Sequence, residues 1–182
     1  MNKVRIIGGD LRSRMITFPD AEGLRPTPDR VRETLFNWLG QTLYGRTCLD
    51  LFAGSGALGF EAASRGAERV VMVELNRAVF RALQENAKKL GCANVFVHAQ
   101  DGLEFVSRDA QRYDMIFLDP PFQSSSSGDY LPKLLGMLPQ RLNENGMVYV
   151  ESGSAIEVPP QWRAMKSGKA GQVHYQLLGV HK

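Results

Sequence analysis

Apolar runs alternate with amphipathic stretches along the middle of the chain. Short apolar runs that end in turn residues predict strands, at 48–52, 69–73, 94–99, 113–118 and 146–151. Apolar positions spaced three or four residues apart predict helices between them, at 57–65, 77–90 and 129–142. Strands that alternate with helices are typical of α/β proteins, in which right-handed crossovers build a parallel sheet.

The N-terminal region has a different pattern. Alternating polar and apolar positions predict a β-hairpin with strands at 4–7 and 11–18, joined by the turn Gly8-Gly9-Asp10. After a loop, Thr27 is predicted as the N-cap of a helix, with Pro28 in the first helical position.

The tail of the chain predicts two further strands. Residues 162–182 contain two apolar stretches around a turn at 168–171, so a closing hairpin should add antiparallel pairing. No internal repeat separates the chain into parts. We expect a single domain, with an N-terminal hairpin and helix extension over 1–46 and a cofactor-binding and catalytic core over 47–182.

The distribution of charge divides the chain in the same way. The net charge of +3 is the sum of +3 over residues 1–46, −3 over 47–152 and +3 over 153–182. Basic segments attract phosphate backbones, although runs of charge are more often simply solvated surface. Charge alone leaves both interpretations open.

The composition argues against several classes of protein. There is no apolar run of about 18 residues, as a membrane span requires, and the first ten residues do not resemble a signal peptide. Cys48 and Cys92 fit free thiols in a reducing compartment, so we expect a cytoplasmic protein. The three histidines have no metal-ligand spacing, and we expect no metal.

The first core strand leads into a glycine turn. Gly54, Gly56 and Gly59 match G-x-G-x-x-G, which alone is a weak signal for a dinucleotide. Asp50 precedes this turn, and a carboxylate about 4 Å from a pyrophosphate would oppose it by roughly 4 kcal/mol at an effective dielectric constant of 20. A cofactor with a cationic end would be attracted instead, and S-adenosylmethionine carries a sulfonium and an ammonium group.

Acidic residues also follow the next two strands. Glu74 ends the second core strand, where a carboxylate can accept hydrogen bonds from both ribose hydroxyls of a cofactor. Asp101 follows the third, where it could accept a hydrogen bond from an adenine amino group or serve as the N-cap of a helix over 102–107. Both interpretations of Asp101 remain open from the sequence.

A rigid, acceptor-rich corner follows the fourth core strand. In Asp119-Pro120-Pro121-Phe122, two prolines remove two backbone donors and leave carbonyl oxygens, a carboxylate and an aromatic face. Such a corner suits a planar base with an exocyclic amine, held by Asp119 and the Pro120 carbonyl and stacked on Phe122. In-line attack of the amine on a methyl group then needs mainly positioning. A base in a duplex could not reach this corner, so it must be unpaired or flipped out.

Arginines cluster in the N-terminal region. Arg25, Arg30 and Arg32 surround the start of the predicted helix, where the helix dipole disfavours cations. Arg12 and Arg14 fall on one face of the predicted second strand. The first group gives a modest indication of an anionic partner, and the second is either a solvated face or an arginine pair that contacts RNA.

These motifs together resemble a known family. Asp50-x-Phe52-x-Gly54-x-Gly56 and the Asp119–Phe122 motif are similar to those of class I S-adenosylmethionine-dependent methyltransferases that act on exocyclic amines. More narrowly, the chain resembles the RsmD-type family of bacterial 16S ribosomal RNA guanine-N2 methyltransferases. The segments that carry this narrower resemblance are Arg5–Gly9, Leu24–Thr27 with Arg32-Glu33, Leu35–Asn37 and Asp50–Gly59.

The resemblance implies a fold, a site and a partner. The fold is Rossmann-like, with a seven-stranded, mostly parallel sheet, an antiparallel last strand, and an N-terminal β-hairpin and helix. The substrate is small-subunit rRNA, in an assembled or partly assembled 30S subunit, and we expect a monomer. The expected base contacts are Asp119, Pro120, Pro121 and Phe122. The expected cofactor contacts are Asp50, Phe52, Gly54, Ser55, Gly56, Glu74, Leu75, Asp101 and Gly102. The expected RNA contacts are Arg5, Arg12, Arg14, Arg25, Thr27, Arg30 and Arg32.

Three alternatives remain. A DNA adenine-N6 methyltransferase would share the acceptor corner, but it usually needs a target-recognition segment for which neither end has room. A dinucleotide-dependent oxidoreductase would use the glycine turn, against the evidence of Asp50 and the Asp119–Phe122 motif. A non-catalytic RNA-binding protein would have no use for these acidic positions.

Overall fold

The computed structural model describes residues 1–121 and 130–181. The helices are α1 (Asp29–Trp38), α2 (Ala57–Ser64), α3 (Arg77–Lys89), α4 (Gly102–Arg108) and α5 (Tyr130–Met137), the last followed by a 3-10 turn, Leu138–Arg141. The strands are β1 (Asn2–Arg5), β2 (Met15–Phe18), β3 (Thr47–Asp50), β4 (Arg69–Glu74), β5 (Val95–Ala99), β6 (Tyr113–Leu118), β7 (Leu142–Ser152), β8 (Trp162–Ala170) and β9 (Val173–Val180). Among the described residues, no helix combines the length and apolar character needed to cross a membrane.

Seven strands form one sheet in the order β5-β4-β3-β6-β7-β9-β8. The pairs among β3, β4, β5, β6 and β7 are parallel, and β9 runs antiparallel to both β7 and β8. This confirms the expected sheet with its reversed last strand. The strand order changes direction between β3 and β6, and a ligand crevice forms at the carboxyl ends of the strands at such a switch point.

Alternate residues of each central strand pack on opposite faces of the sheet. On β3, Cys48 joins the apolar cluster beneath α1, α2 and α3, while Leu49 joins the cluster beneath α4 and α5. The central strands are buried on both faces, which explains why they appear in the sequence as continuous apolar runs. The sheet therefore holds its carboxyl edge rigidly for the side chains that follow each strand.

The N-terminal hairpin is shorter than predicted. Its strands are β1 and β2, paired from Asn2 with Phe18 to Arg5 with Met15, so Arg12 and Arg14 lie in the connection and not on a strand. The backbone N–H groups of Ile7 and Gly8 donate to the Glu61 carboxylate, at 2.8 and 2.9 Å, instead of to the facing strand. Tertiary hydrogen bonds to α2 therefore replace part of the predicted ladder.

The start of α1 also differs from the prediction. Pro28 occupies the N-cap position, and no side chain caps the helix. Thr27, the predicted N-cap, is buried and donates its hydroxyl hydrogen bond to Glu151 at 3.3 Å. The inner face of the helix is apolar, with Val31 and Leu35 fully buried. The N-cap prediction failed because a distant carboxylate competes for the hydroxyl.

Candidate active site

A cavity of about 590 Å³ opens at the carboxyl ends of the parallel strands. Its walls come from the segment before α1, from the glycine turn, from the residues after β4, β5 and β6, from β7, and from the turn between β8 and β9. It therefore brings together most of the predicted cofactor and base contacts. The predicted contacts that line it are Asp50, Phe52, Gly54, Ser55, Glu74, Leu75, Asp101, Gly102, Asp119, Pro120 and Pro121, with Arg25 and Thr27.

The glycine turn has the left-handed backbone that its sequence demands. Gly54 and Gly56 have φ values of +54° and +86°, which glycine adopts without strain. Gly56 is also the N-cap of α2, so this helix starts beside the cavity floor. Gly59 is needed for a different reason, since a Cβ there would lie 2.4 Å from Cε of Met72.

Asp50 is a buried carboxylate with one oxygen unused. Its Oδ2 accepts a hydrogen bond from the Gly59 N–H at 3.1 Å, whereas Oδ1 has no partner among the described residues. Burial, together with the nearby carboxylates Glu74 and Glu151, raises the pKa of Asp50 to about 7, against the opposing effect of the Gly59 hydrogen bond. An unpaired anionic oxygen at a cavity wall fits a cationic ligand, which would return the lost solvation.

Glu74 and Asp101 each bind the backbone as well as lining the cavity. Glu74 accepts from the N–H of Gly54 at 3.0 Å and of Asn76 at 2.8 Å, and so ties the glycine turn to the end of β4. Asp101 is the N-cap of α4, accepting from the Glu104 N–H at 3.1 Å. The capping interpretation is confirmed. A carboxylate has about four acceptor sites, so both residues retain capacity toward a ligand.

The flanks of the cavity are apolar. Leu75 lines the cavity and is 66% exposed. The ring of Phe52 packs edge-on against Tyr130, with centroids 6.0 Å apart. Gly102 permits this packing, since a Cβ there would lie 3.0 Å from the Phe52 ring.

The acceptor corner follows β6, the strand beside β3 in the sheet, so it lies close to Asp50. Asp119, Pro120 and Pro121 all line it, while Phe122 and the serine-rich stretch after it lie outside the described residues. The pKa of Asp119 lies well above its usual value, because the carboxyl group is buried and because Glu151 and Asp50 are close. The carboxyl groups of Asp119 and Glu151 are within hydrogen-bonding distance of each other.

Sequence reasoning missed several residues of the site. Glu151 is 4% exposed, lines the cavity and accepts a hydrogen bond from the Tyr149 hydroxyl at 2.8 Å. Tyr130 on α5 and Gln172 in the β8–β9 turn also reach the cavity. Only Glu151 had a usable signal: like Asp50, it is an acid at the carboxyl end of a predicted parallel strand.

The predicted RNA-binding arginines do not form one surface. Arg25 lines the cavity and Arg30 is exposed at the start of α1, near the cavity wall. Arg12 and Arg14 are exposed elsewhere, and Arg14 donates to the Lys89 carbonyl at 3.4 Å. Lys89 ends α3, which starts at the cavity and is about 20 Å long, so Arg14 lies far from the cavity. Arg12 lines a separate cavity with Ser64, the last residue of α2.

Two further predicted RNA contacts are buried, and Arg5 is exposed on β1. The prediction that Arg32 binds RNA is wrong, because its side chain is fully buried and donates to Glu61 at 3.3 Å and to the Arg5 carbonyl at 2.9 Å. Thr27, with 4% of its surface exposed, is part of the cavity wall and not of the outer surface.

The strand order, the antiparallel β9 and the acidic cavity at the switch point define a class I methyltransferase fold. The chain is 40% identical over 180 residues to ribosomal RNA small subunit methyltransferase D of Escherichia coli (strain K12), a match that covers 96% of this chain and 89% of that protein. It is 39% identical over 181 residues to the protein of the same name from Haemophilus influenzae, covering 96% and 93%. Among solved structures, a putative methyltransferase yhhF from Escherichia coli superposes with a TM-score of 0.86 at 40% identity, over 97% of each chain.

A family model described as "Conserved hypothetical protein 95" matches residues 4–179. The chain therefore belongs to this family, the RsmD-type methyltransferases.

Proposed function

We propose that the protein transfers a methyl group from S-adenosylmethionine to the exocyclic N2 amine of a guanine in 16S ribosomal RNA. The names of the relatives support small-subunit rRNA as the substrate. The observation that carries the proposal is that one cavity is lined by two features. They are the Asp50 carboxylate, whose Oδ1 has no partner among the described residues, and the acceptor corner at Asp119 and Pro120. One suits a cationic methyl donor, and the other suits an amine.

Different residues of the cavity bind different parts of the methyl donor. S-Adenosylmethionine supplies an electrophilic methyl group on a sulfonium. Asp50 attracts the positive charge of this donor, Glu74 accepts hydrogen bonds from its ribose, and Asp101 and Leu75 contact its adenine. Ser55, whose hydroxyl accepts from the Ala57 N–H at 3.2 Å, keeps the glycine turn in shape.

The acceptor corner orients the nucleophile. Asp119 and the Pro120 carbonyl accept hydrogen bonds from the amine and direct its lone pair at the methyl carbon, and Phe122 stacks on the base. Because this corner contributes orientation and charge stabilisation, no covalent enzyme intermediate is needed. The target base must leave its helix or be unpaired before it can enter.

The wider context of the reaction also belongs to the proposal. We expect the substrate to be an assembled or partly assembled 30S subunit, and the enzyme to act as a cytoplasmic monomer. Arg25 and Arg30 flank the cavity and would contact phosphates around the target base. Residues before α1 and residues of the core line the same cavity, which supports one domain over residues 1–182.

The test is methyl transfer from isotope-labelled S-adenosylmethionine to undermethylated small subunits and, in parallel, to naked 16S rRNA. Nucleoside analysis should find the label in N2-methylguanosine. Label in N6-methyladenosine would favour the adenine alternative. Binding of NAD or NADP, without binding of S-adenosylmethionine, would favour the oxidoreductase.

Asp119→Ala tests the role of the acceptor corner in methyl transfer. Loss of the amine acceptor should lower the methylation rate by about 100-fold or more. Binding of S-adenosylhomocysteine should remain close to wild type, because Asp50 and Glu74 are unchanged. Unchanged turnover in this variant would remove Asp119 from the mechanism.

A further inference from the structure

Glu151 occupies an unusual position for a carboxylate. It lies at the end of β7, 4% exposed, and points into the cavity beside Asp119. Two hydroxyl groups donate to it: that of Tyr149 to Oε1 at 2.8 Å, and that of Thr27 to Oε2 at 3.3 Å. Both carboxylate oxygens of Glu151 therefore already accept a hydrogen bond from a hydroxyl group.

Asp119 has the opposite environment. Its carboxyl group is buried, faces the carboxyl group of Glu151 and is close to Asp50, so its pKa is well above the usual value. Two adjacent carboxyl groups in a buried site retain one proton between them. Since the raised pKa is that of Asp119, and hydroxyl groups already donate to both oxygens of Glu151, this proton is on Asp119, which then donates a hydrogen bond to Glu151.

This inference rests on the function proposed above. We infer that Glu151 is a positioning residue that receives the proton released by methyl transfer, and that Asp119 passes this proton to it. The amine nitrogen forms a bond to the methyl carbon, the carbon–sulfur bond breaks, and its electron pair stays on sulfur. The methylated nitrogen, now cationic, gives its N–H proton to the free oxygen of Asp119. The O–H proton of Asp119 moves to Glu151.

The protons and charges of this relay balance. Asp119 is neutral before and after the step, Glu151 changes from carboxylate to carboxylic acid, and the base becomes a neutral methylated amine. Glu151 returns its proton to water when the products leave. A neutral Asp119 still accepts the amine hydrogen bond through its carbonyl oxygen, so orientation and proton removal are compatible.

The charged groups around Glu151 set the pH at which this relay fails. No cation is within hydrogen-bonding distance of Glu151 in the described chain. The guanidinium of Arg32 donates instead to the Thr27 and Arg5 carbonyls. It also pairs with Asp29 on its own helix and with Glu61 on α2. Protonation of Glu151 blocks the relay, so the methylation rate should fall at acidic pH. The titratable groups that face Glu151 are Tyr149 on its own strand, Tyr175 on β9, Asp119 after β6 and Asp50 on β3.

The test is the pH profile of the single-turnover rate at saturating S-adenosylmethionine. Glu151→Gln should lower the rate by about 100-fold or more, the usual contribution of a proton acceptor, and should remove the acidic limb of the profile. Glu151→Asp, which keeps a carboxylate, should recover part of the rate and the limb. Binding of S-adenosylhomocysteine should stay close to wild type in both, which also reports folding.

Tyr149→Phe tests the same point without changing a carboxylate. Loss of its hydrogen bond to Glu151 should move the acidic limb of the rate profile to higher pH. Tyr113→Phe is the matched control, because it removes a buried tyrosine–carboxylate hydrogen bond, 2.6 Å to Asp109, at the far end of β6. Its profile should match wild type.

The outcomes separate the two proposals. If the wild-type protein methylates no guanine, the proposed function fails. If it does, and Glu151→Gln retains the wild-type rate and acidic limb, the relay alone is overturned. Should Glu151→Gln fail to fold, an unmoved limb in Tyr149→Phe overturns the relay, and a limb that moves only in this variant supports it.

Discussion

Asp50 combines a structural cost with a binding advantage. Its carboxylate is 1% exposed and has one hydrogen bond, from Gly59, while its second oxygen faces the cavity unpaired. Burial raises its pKa to about 7, compared with 3.8 in the unfolded chain. The folded state therefore binds a proton more tightly than the unfolded state, and stability falls as the pH rises from about 4 to 7.

The same pKa shift makes cofactor affinity depend on pH. A cationic donor beside Asp50 favours the ionised form, so binding near pH 6.5 should release a proton, and affinity should rise with pH through about 7. Asp50→Asn keeps an acceptor for the Gly59 N–H but loses the charge. This variant should bind S-adenosylmethionine at least about tenfold more weakly at pH 8, since even a partly screened pair at close range contributes more than 1.4 kcal/mol.

Calorimetry in buffers of different ionisation enthalpy measures the proton release, and thermal unfolding at pH 8 measures the stability. The variant should melt at a higher temperature than wild type at this pH, because a buried charge has been removed. Proton release that persists in Asp50→Asn would assign it to another group.

Glu61 organises the N-terminal elements around α2. It is fully buried and accepts from the backbone N–H groups of Ile7 and Gly8 and from the guanidinium groups of Arg32, at 3.3 Å, and Arg65, at 2.9 Å. The Arg65 guanidinium also lies over the Phe36 ring, 4.9 Å from its centroid. One carboxylate therefore connects the hairpin, α1 and α2, and holds the segment that forms the cavity wall.

Replacement of this carboxylate should be strongly destabilising. Glu61→Gln leaves the Arg65 guanidinium without its counter-charge and leaves the buried Arg32 with only the exposed Asp29, and we expect a loss of about 3–5 kcal/mol in the free energy of unfolding, measured in urea. Glu104→Gln makes the same change in an exposed pair with Arg108, at 3.4 Å, and should lose less than about 1 kcal/mol. Equal losses in the two variants would show that Glu61 does not organise these elements.

At the scale of the whole molecule, the basic residues lie on more than one side. Arg25 and Arg30 are beside the cavity, while Arg14 is at the opposite end of α3 and Arg12 lines a separate cavity with Ser64 of α2. An RNA whose target base enters the cavity must pass the first pair. Contact with Arg14 requires a substrate that extends about 20 Å beyond the cavity, the length of α3.

The two pairs should therefore differ in their effect on RNA binding. Neutralising Arg25 and Arg30 together should weaken binding of small subunits and lower the slope of log affinity against log salt by about 1.4 to 1.8, as expected for two lost phosphate contacts. Neutralising Arg12 and Arg14 is the matched control, with a smaller effect expected on a short RNA than on the intact subunit. Equal effects of both pairs on a short RNA would contradict this arrangement.

Local pattern was enough to predict the core elements. The strands around Cys48, Val71 and Ile116 are continuous apolar runs, because both faces of the sheet are covered, and α3 begins at a residue type that favours N-caps, Asn76, which accepts from the Val79 N–H at 3.1 Å. The acids after successive parallel strands converge because the carboxyl ends of such strands meet at one edge. The predictions for Asp50, Glu74 and Asp119 depended only on that rule.

Local pattern failed where a distant group competed for a donor. Glu61 takes the backbone N–H groups that the predicted hairpin required, and Glu151 takes the hydroxyl of Thr27 that the predicted N-cap required. Arg32 was predicted to be a surface cation, because its position in the sequence gives no information about the carboxylates with which its buried side chain pairs. These are Asp29 and Glu61.

The sequence by itself determined the order of strands and helices, the glycine turn, and the acids that meet at the edge of the sheet, because periodicity and strand direction are local properties. The tertiary structure decided which of these side chains share protons and hydrogen bonds. The contact of Asp119 with Glu151 joins positions 32 residues apart, and that of Thr27 with Glu151 joins positions 124 apart. Such contacts form only when the sheet brings separate strand ends together.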